Sequence, residues 1–234
     1  MSLEAVLFDK DGVLIDFQAT WGRWAATLLQ RLSGGDAAVY DRLADAIRFF
    51  PATGEFAADS VAIAGTPRDL AQALHGALGG AWTTADLETL LSQDAIDVDV
   101  APPVPQSPTI EALATSGLKL GVVTNDAEDA ARSQVATVGI SDLFGCVVGY
   151  DSGFGAKPGP GSVLGACELL GVAPDKAAMV GDSLHDLHAA RAAGTTAVGV
   201  LTGTAVRSDL APFADVVLPD VTHVPPWVAS LRLP

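Results

Sequence analysis

Six short apolar runs, rich in valine, recur along the chain and predict the strands of a sheet. They do not alternate between apolar and polar residues, as is typical of parallel strands covered on both faces. From the second run onward, segments with helical spacing separate them, which predicts an α/β fold with an open, doubly wound, mostly parallel sheet. The runs are residues 5–8, 118–124, 146–149, 177–181, 197–201 and 215–218. The helical segments are residues 126–138, 160–170, 184–193 and a weaker turn near 205–211.

The alternation of strands and helices is interrupted between Asp16 and about Pro102, where we predict helices and no strand. Four sets of apolar residues recur there at helical spacing, beginning at Trp21, Leu43, Leu70 and Leu87. The second set runs as far as Phe50. We read residues 51–65 as a loop and the proline-rich residues 100–108 as a stiff return linker. The expected organisation is a core domain of residues 1–16 and 101–234, with a small helical domain of residues 17–100 inserted after the first strand.

Composition narrows the classes of partner. The net charge is −15 over 234 residues, from 28 acids and 13 bases, so nucleic acid and anionic membrane surfaces should repel the chain. No apolar run reaches the length of a membrane span, and the start lacks the pattern of a secretory signal. Cys146 and Cys167 lie in apolar surroundings and are expected to be buried free thiols, which favours a reducing, cytoplasmic location.

Polar side chains follow the first four predicted strands at the point where each strand ends. They are Asp9 and Asp11, then Thr124 and Asn125, then Lys157 in a glycine-rich segment, then Asp182 and Asp186. In an open parallel sheet these positions meet at one edge, where ligands bind. Taken singly, each aspartate is typical of a turn or a helix cap, and the lysine of a solvated surface.

Together these residues indicate a binding site for a cation and an anion. Clustered carboxylates are unfavourable unless a cation shares their site, and hard oxygen ligands suit Mg²⁺, which often bridges to a substrate phosphate. A lysine and a threonine hydroxyl are suitable partners for a phosphoryl group. A small phosphorylated metabolite is therefore the expected substrate, with Mg²⁺ as cofactor.

Four segments, in order along the chain, resemble the motifs of the haloacid dehalogenase superfamily in its phosphatase branch. They are FDKDGVLID with its aspartate pair, VVTN with its threonine, AKPGP with its lysine, and VGDSLHDLHAARAAG with its two aspartates. The fourth segment and the position of the helical insertion are most similar to phosphoglycolate phosphatases. The resemblance implies a Rossmann-like core, a mobile helical cap and 2-phosphoglycolate as the first substrate to consider.

The resemblance also implies roles for the catalytic residues. Asp9 would be the nucleophile that forms an aspartyl-phosphate. Asp11 would protonate the leaving oxygen and then activate water. Lys157 would neutralise charge and anchor Asp9, and Thr124 would hold a phosphoryl oxygen.

Four further positions carry implied binding roles. Backbone amides near Gly12 and Asn125 would hold phosphoryl oxygens. Mg²⁺ would be bound by Asp9, the backbone carbonyl of Asp11, and Asp182, with Asp186 acting directly or through water.

Other reactions on the same motifs stay open. Val13 stands where phosphatases of this superfamily often have threonine and sugar-phosphate mutases often have valine, so a mutase of the beta-phosphoglucomutase type is the alternative. Haloacid dehalogenation is disfavoured by Asp11. A non-catalytic binding module is disfavoured because Asp9, Asp11, Lys157 and Asp182 are all present.

Several residues receive no role at this stage. Lys10 occupies a slot that is often apolar and is expected to be solvated or paired with an acid. Trp21 and Trp24 are expected in the core of the cap, and His185 and His188 on a solvated helix face. One of the five arginines of the insertion could bind a substrate carboxylate, and the sequence does not indicate which one. The chain is expected to be a monomer or a homodimer.

Overall fold

The fold is built on a six-stranded, all-parallel sheet. A computed structural model describes residues 3–80, 82–102 and 107–231. The strand order across the sheet is β5-β4-β1-β6-β7-β8. The strands are β1 (Ala5–Phe8), β4 (Lys119–Val123), β5 (Cys146–Val148), β6 (Ala177–Gly181), β7 (Thr196–Val200) and β8 (Val216–Leu218). All six strands lie within one or two residues of the predicted runs, and the α/β sheet with a helical insert is confirmed.

Register places the ends of the central strands level with one another. Phe8, the last residue of β1, pairs with Val122 of β4 on one side and Val180 of β6 on the other. The polar residues that follow these three strands therefore emerge at the same edge of the sheet.

Helices cover both faces because alternate residues of each strand point to opposite sides. Val6 and Phe8 pack with one set of helices, and Ala5 and Leu7 pack with the other. The first set is α6 (Ser107–Thr115), α7 (Glu128–Thr137) and α11 (Val224–Ser230). The second set is α8 (Gly161–Leu170), α9 (Leu184–Ala193) and α10 (Arg207–Leu210).

The insertion after β1 forms its own apolar cluster, which also includes Ala127, just before α7, and Ala130 within it. Its helices are α1 (Phe17–Ser33), α2 (Ala37–Ala46), α3 (Val61–Ala64), α4 (Pro67–Leu78) and α5 (Thr84–Ile96). The four predicted helices correspond to α1, α2, α4 and α5. Among the described residues, no helix has the length and hydropathy needed to cross a membrane.

Some predicted boundaries were wrong. The second helix of the insertion ends at Ala46, not Phe50, because the chain turns into a small antiparallel pair, β2 (Phe49–Phe50) and β3 (Glu55–Phe56). The segment 51–65, predicted as a loop, contains β3 and the short helix α3. The end of the predicted linker is helical, since α6 begins at Ser107, and residues 103–106 of that linker lie outside the described residues.

Candidate active site

The structure brings together the polar residues that follow β1, β4 and β6, and adds Lys157 from the loop after β5. Asp9 is the first residue after β1 and is 8 % exposed. Its Oδ1 accepts a hydrogen bond from the amide of Lys10 at 2.7 Å and lies 2.8 Å from the Lys157 ammonium. Both of these contacts end on the same oxygen, which leaves Oδ2 as the atom to face an incoming group.

The electrostatic environment of Asp9 favours the binding of a cation beside its carboxylate. Burial, followed by repulsion from Asp186, raises the pKa of Asp9 to about 7, and Lys157 only partly opposes this. A carboxylate in this position is unfavourable in its ionised form until a further positive charge arrives.

Lys157 joins three acceptors from separate segments. Its Nζ donates to the carbonyl of Val123 at 2.8 Å, to Asp186 Oδ1 at 2.6 Å and to Asp9 at 2.8 Å. Burial opposes the charge of Lys157, but the carboxylates of Asp186 and Asp9 outweigh it and raise its pKa above the ordinary value. The ammonium therefore stays charged, and all three of its protons are used in fixing the site.

Three buried carboxylates form a group suited to a hard divalent cation. One oxygen each from Asp9, Asp182 and Asp186 lies within 4.8 Å of the others. Burial first, then repulsion from Asp186 and Asp9, raises the pKa of Asp182. All of these ligand atoms are oxygens, and without a cation the cluster resists ionisation. Both properties suit Mg²⁺, which would be held by Asp9 and Asp182.

Asp186 has less freedom to bind a metal directly. Its Oδ1 accepts from Lys157, and its Oδ2 accepts from the amide and hydroxyl of Ser183 at 3.1 and 2.7 Å. The second pair of hydrogen bonds caps the start of α9. Asp186 therefore orients Lys157 and the helix, and its geometry favours contact with a metal through water.

Two glycines allow Asp182 to enter the site. A Cβ on Gly12 would fall 2.4 Å from Asp182 Oδ2, and one on Gly203 would fall 1.6 Å from the same atom. Gly12 also has φ +74°, a conformation that side chains disfavour. Its amide donates to the carbonyl of Ile15 at 2.7 Å, so in this structure that N–H is already used within the turn.

Asp11 is held by Trp21 and Lys10, two residues for which no role in the active site was predicted. Trp21 Nε1 donates to Asp11 Oδ1 at 2.5 Å, and the Lys10 ammonium lies 2.9 Å from Oδ2. Lys10 is fully buried and also contacts Asp126 at 2.8 Å and the side-chain oxygen of Gln134. The expectation of a pairing with an acid is met. A lysine between two aspartates near the end of a buried strand is compatible with such a pairing but does not identify its partners.

Thr124 and Asn125 follow β4 and line the same cavity. The Thr124 hydroxyl accepts from the amide of Asp126 at 3.1 Å. The Asn125 side chain donates to the carbonyls of Lys157 and Ala64 at 2.9 and 2.8 Å, and accepts from the Lys157 amide at 2.8 Å. Asn125 thus fixes the lysine loop and ties it to the inserted helices.

The inserted helices form the opposite wall of the cavity. Trp21 and Trp24 both line it, with their rings packed edge to face at 5.2 Å. The sequence predicted them in the cap core, and Trp21 belongs to that core as well. His185 also lines the cavity, whereas His188 packs its ring against Phe213. Helical periodicity did not reveal the cavity-lining role of the two tryptophans.

A family model described as haloacid dehalogenase-like hydrolase matches residues 3–194. The chain belongs to this family. The shared fold and the ordered motifs are thereby accounted for, including the aspartate pair that follows β1.

Individual relatives agree with the family and differ in named activity. A phosphoglycolate phosphatase from Aquifex aeolicus is 39 % identical over 102 residues, which is 43 % of this chain and 48 % of that protein. The chain therefore spans about half the length of the curated relatives it matches. A crystal structure of a HAD phosphatase from Thermococcus onnurineus has 25 % identity and a TM-score of 0.69, covering 99 % of this chain and 100 % of its own.

The fold alone does not choose the reaction. The structure of L-2-haloacid dehalogenase from Xanthobacter autotrophicus covers 98 % of this chain and 100 % of its own, with a TM-score of 0.63 and 20 % identity. The residues of the site must therefore carry the argument about chemistry.

Proposed function

We propose that this chain is a Mg²⁺-dependent phosphatase that hydrolyses a small phosphomonoester through an aspartyl-phosphate on Asp9. The observation that carries the proposal is the arrangement around Asp9. One of its oxygens is fixed by Lys157, while Asp11, two residues further along, is held by Trp21 and Lys10. A nucleophile and a separate proton-transfer group are the two parts that this two-step reaction needs.

In the first step, Asp9 Oδ2 attacks phosphorus and the bond from phosphorus to the leaving oxygen breaks. Asp11 gives its proton to that oxygen, so the leaving group departs as a neutral alcohol. Lys157 stabilises the charge that accumulates on the transferring group, and the Thr124 hydroxyl is available to donate to a phosphoryl oxygen.

In the second step, Asp11 removes a proton from water, which attacks phosphorus. The bond from phosphorus to Asp9 breaks and the carboxylate is restored. The inserted helices exclude other water during both steps, and we propose that residues 17–100 act as a cap over the site.

The contribution proposed for Mg²⁺ is to reduce the repulsion between negative charges in the site. Mg²⁺, when bound, would neutralise the phosphoryl oxygens beside the carboxylates of Asp9 and Asp182 and so lower their mutual repulsion. The Asp11 carbonyl and Asp186 are the remaining proposed ligands, Asp186 through water.

Among individual substrates, 2-phosphoglycolate is the first to test because relatives carry that name. A sugar-phosphate mutase is the alternative that Val13 raised. Val13 is fully buried, so its side chain does not reach a substrate and gives this alternative no further support.

The test compares wild type with Asp9→Asn, using p-nitrophenyl phosphate with Mg²⁺ or with EDTA. We expect Mg²⁺-dependent turnover in the wild type and a loss of at least about 10³-fold in the variant. Asp99→Asn, at an exposed surface position, is the matched control and should keep full activity. Retained metal-dependent activity in Asp9→Asn would defeat the proposal, and isomerised hexose phosphate without free phosphate would favour the mutase.

A further inference from the structure

The wall that faces the leaving group is uncharged. The cavity side formed by the insertion consists of aromatic, aliphatic and small residues together with Thr66. The largest are Phe17, Trp21, Trp24, Phe56, Leu70 and Leu91. Within the described part of the chain, no lysine or arginine of the insertion lines this cavity.

The arginines of the insertion point elsewhere. Four pair with acids: Arg23 with Asp99, Arg31 with Asp94, Arg48 with Asp59 and Arg68 with Glu88. Arg42 donates to the carbonyl of Ala38 on its own helix. All five are exposed, so the expectation that one of them grips a substrate carboxylate has no support in this arrangement.

The backbone donors of the loop before α4 are also occupied. The loop before α4 reaches the cavity, but the amide of Gly65 donates to Val61 at 2.9 Å and that of Thr66 to Asp69 at 2.8 Å. Pro67, the first residue of α4, has no N–H. The Asp69 carboxylate adds a negative charge at this helix start, which disfavours a second anion there.

Among the described residues, the opposite wall holds one ammonium, that of Lys157, and all three of its protons are used. Lys157 makes three contacts with Val123, Asp186 and Asp9. His185 also lines this wall, next to Asp186. Asp126 also lines the cavity, and its carboxylate offers no positive charge to an anionic leaving group.

Hydrogen bonds already join the two walls, so the lining residues described above are those of a closed cavity. Trp21 from α1 donates to Asp11, and Asn125 from the core donates to the carbonyl of Ala64 in the insertion. A leaving group bound between these contacts would touch the apolar wall directly.

We infer that this site takes a phosphomonoester whose leaving group is uncharged and largely apolar. It therefore rejects phosphorylated carboxylic acids, including the 2-phosphoglycolate that the names of the relatives make the first compound to test. The inference rests on the proposed phosphatase function and concerns only the leaving group. A carboxylate enclosed against the wall formed by the insertion would lose its hydration and gain no cation from that wall in return.

Two matched pairs of substrates test the inference with the Mg²⁺-loaded protein. Each pair differs only in charge: 4-carbamoylphenyl phosphate against 4-carboxyphenyl phosphate, and the amide of 2-phosphoglycolate against 2-phosphoglycolate. We expect kcat/KM to favour the uncharged member by about 100-fold or more in both pairs, the size expected for an enclosed unpaired charge. Equal values, or a preference for the carboxylates, would overturn the inference while leaving the phosphatase proposal intact.

Turnover of p-nitrophenyl phosphate separates the two proposals. If hydrolysis requires Asp9 but the uncharged member of each pair is not preferred, only the inference is contradicted. If no substrate shows Asp9-dependent hydrolysis, both proposals fail.

A variant of the wall provides a second test. Ile63 lines the cavity and is half-buried, so a long side chain can be accommodated. Ile63→Arg should move the preference by at least about 10-fold toward the carboxylates, whereas Ile63→Gln, which is polar but uncharged, should not. An unchanged preference in a folded Ile63→Arg protein, checked by circular dichroism, contradicts the role assigned to this wall.

Discussion

Lys10 provides the most informative single perturbation outside the reacting atoms. Its side chain is fully buried, and its ammonium contacts Asp11 at 2.9 Å, Asp126 at 2.8 Å and the Gln134 side chain. The ammonium also lies 5.0 Å from the centroid of the Trp21 ring. Replacement with methionine keeps most of the volume but removes the charge that two carboxylates share.

The expected cost follows from those contacts. Removing one partner of a buried ion pair destabilises a protein by about 3–5 kcal/mol, because the remaining charge is left in an apolar site. For a chain of this length, each kcal/mol lowers the melting temperature by roughly 2–4 °C. We therefore expect Lys10→Met to lower the free energy of unfolding by about 3–5 kcal/mol and the melting temperature by about 6–20 °C.

The assay is urea unfolding followed by circular dichroism. Lys119→Met is the matched control: Lys119 is exposed and donates to the carbonyl of Leu170, so its replacement should cost less than about 1 kcal/mol. Adding Asp126→Asn to Lys10→Met removes one of the stranded charges and should restore part of the loss. A Lys10→Met protein as stable as the Lys119→Met control would refute the reasoning.

The sheet and the reacting edge were predictable because they depend on local pattern. Valine-rich runs identify buried parallel strands, and the ends of such strands meet at one edge whatever the loops between them. Asp9, Thr124, Lys157 and Asp182 could therefore be grouped before their distances were known.

The environment of Lys10 could not be predicted in the same way. Its partners Asp126 and Gln134 lie 116 and 124 residues further along the chain. A charged residue between two aspartates is compatible with a solvated turn or a buried network, and only packing decides between them.

The cavity wall illustrates a second limit. Helical periodicity identifies the apolar face of α1, but the inserted helices have two apolar surroundings, their own core and the cavity. Trp21 and Trp24 satisfy the same pattern in either place. The pair β2–β3 was missed because two residues per strand are too few for an alternating pattern to appear.

Two further predictions concern the metal and the proton-transfer residue. Burial raises the pKa of Asp9 from its ordinary value of 3.8 to about 7, so between these values the native state holds a proton that the unfolded state releases. Stability that is present below pH 4 is therefore lost progressively as the pH rises to 7. In the presence of EDTA the melting temperature should be lower at pH 8 than at pH 5.5. Addition of Mg²⁺ should raise the melting temperature more at pH 8 than at pH 5.5, and an equal rise at the two pH values would contradict this linkage. Trp21→Phe removes the donor to Asp11, so kcat should fall by about 10-fold for phenyl phosphate and less for p-nitrophenyl phosphate, whose leaving group needs less protonation. Equal losses for the two substrates, measured by phosphate release, would remove Trp21 from the positioning of Asp11.

The central claim is that a phosphoryl group passes through Asp9. Its most direct test is acid quenching during turnover of p-nitrophenyl phosphate with Mg²⁺, followed by peptide mass spectrometry of the trapped protein. The account predicts a phosphoryl group on the peptide that contains Asp9 in the wild type, and a larger trapped fraction in Asp11→Asn, where water activation is impaired. Rapid turnover with no phosphoryl group on that peptide in either protein, or with the group on another residue, would contradict it.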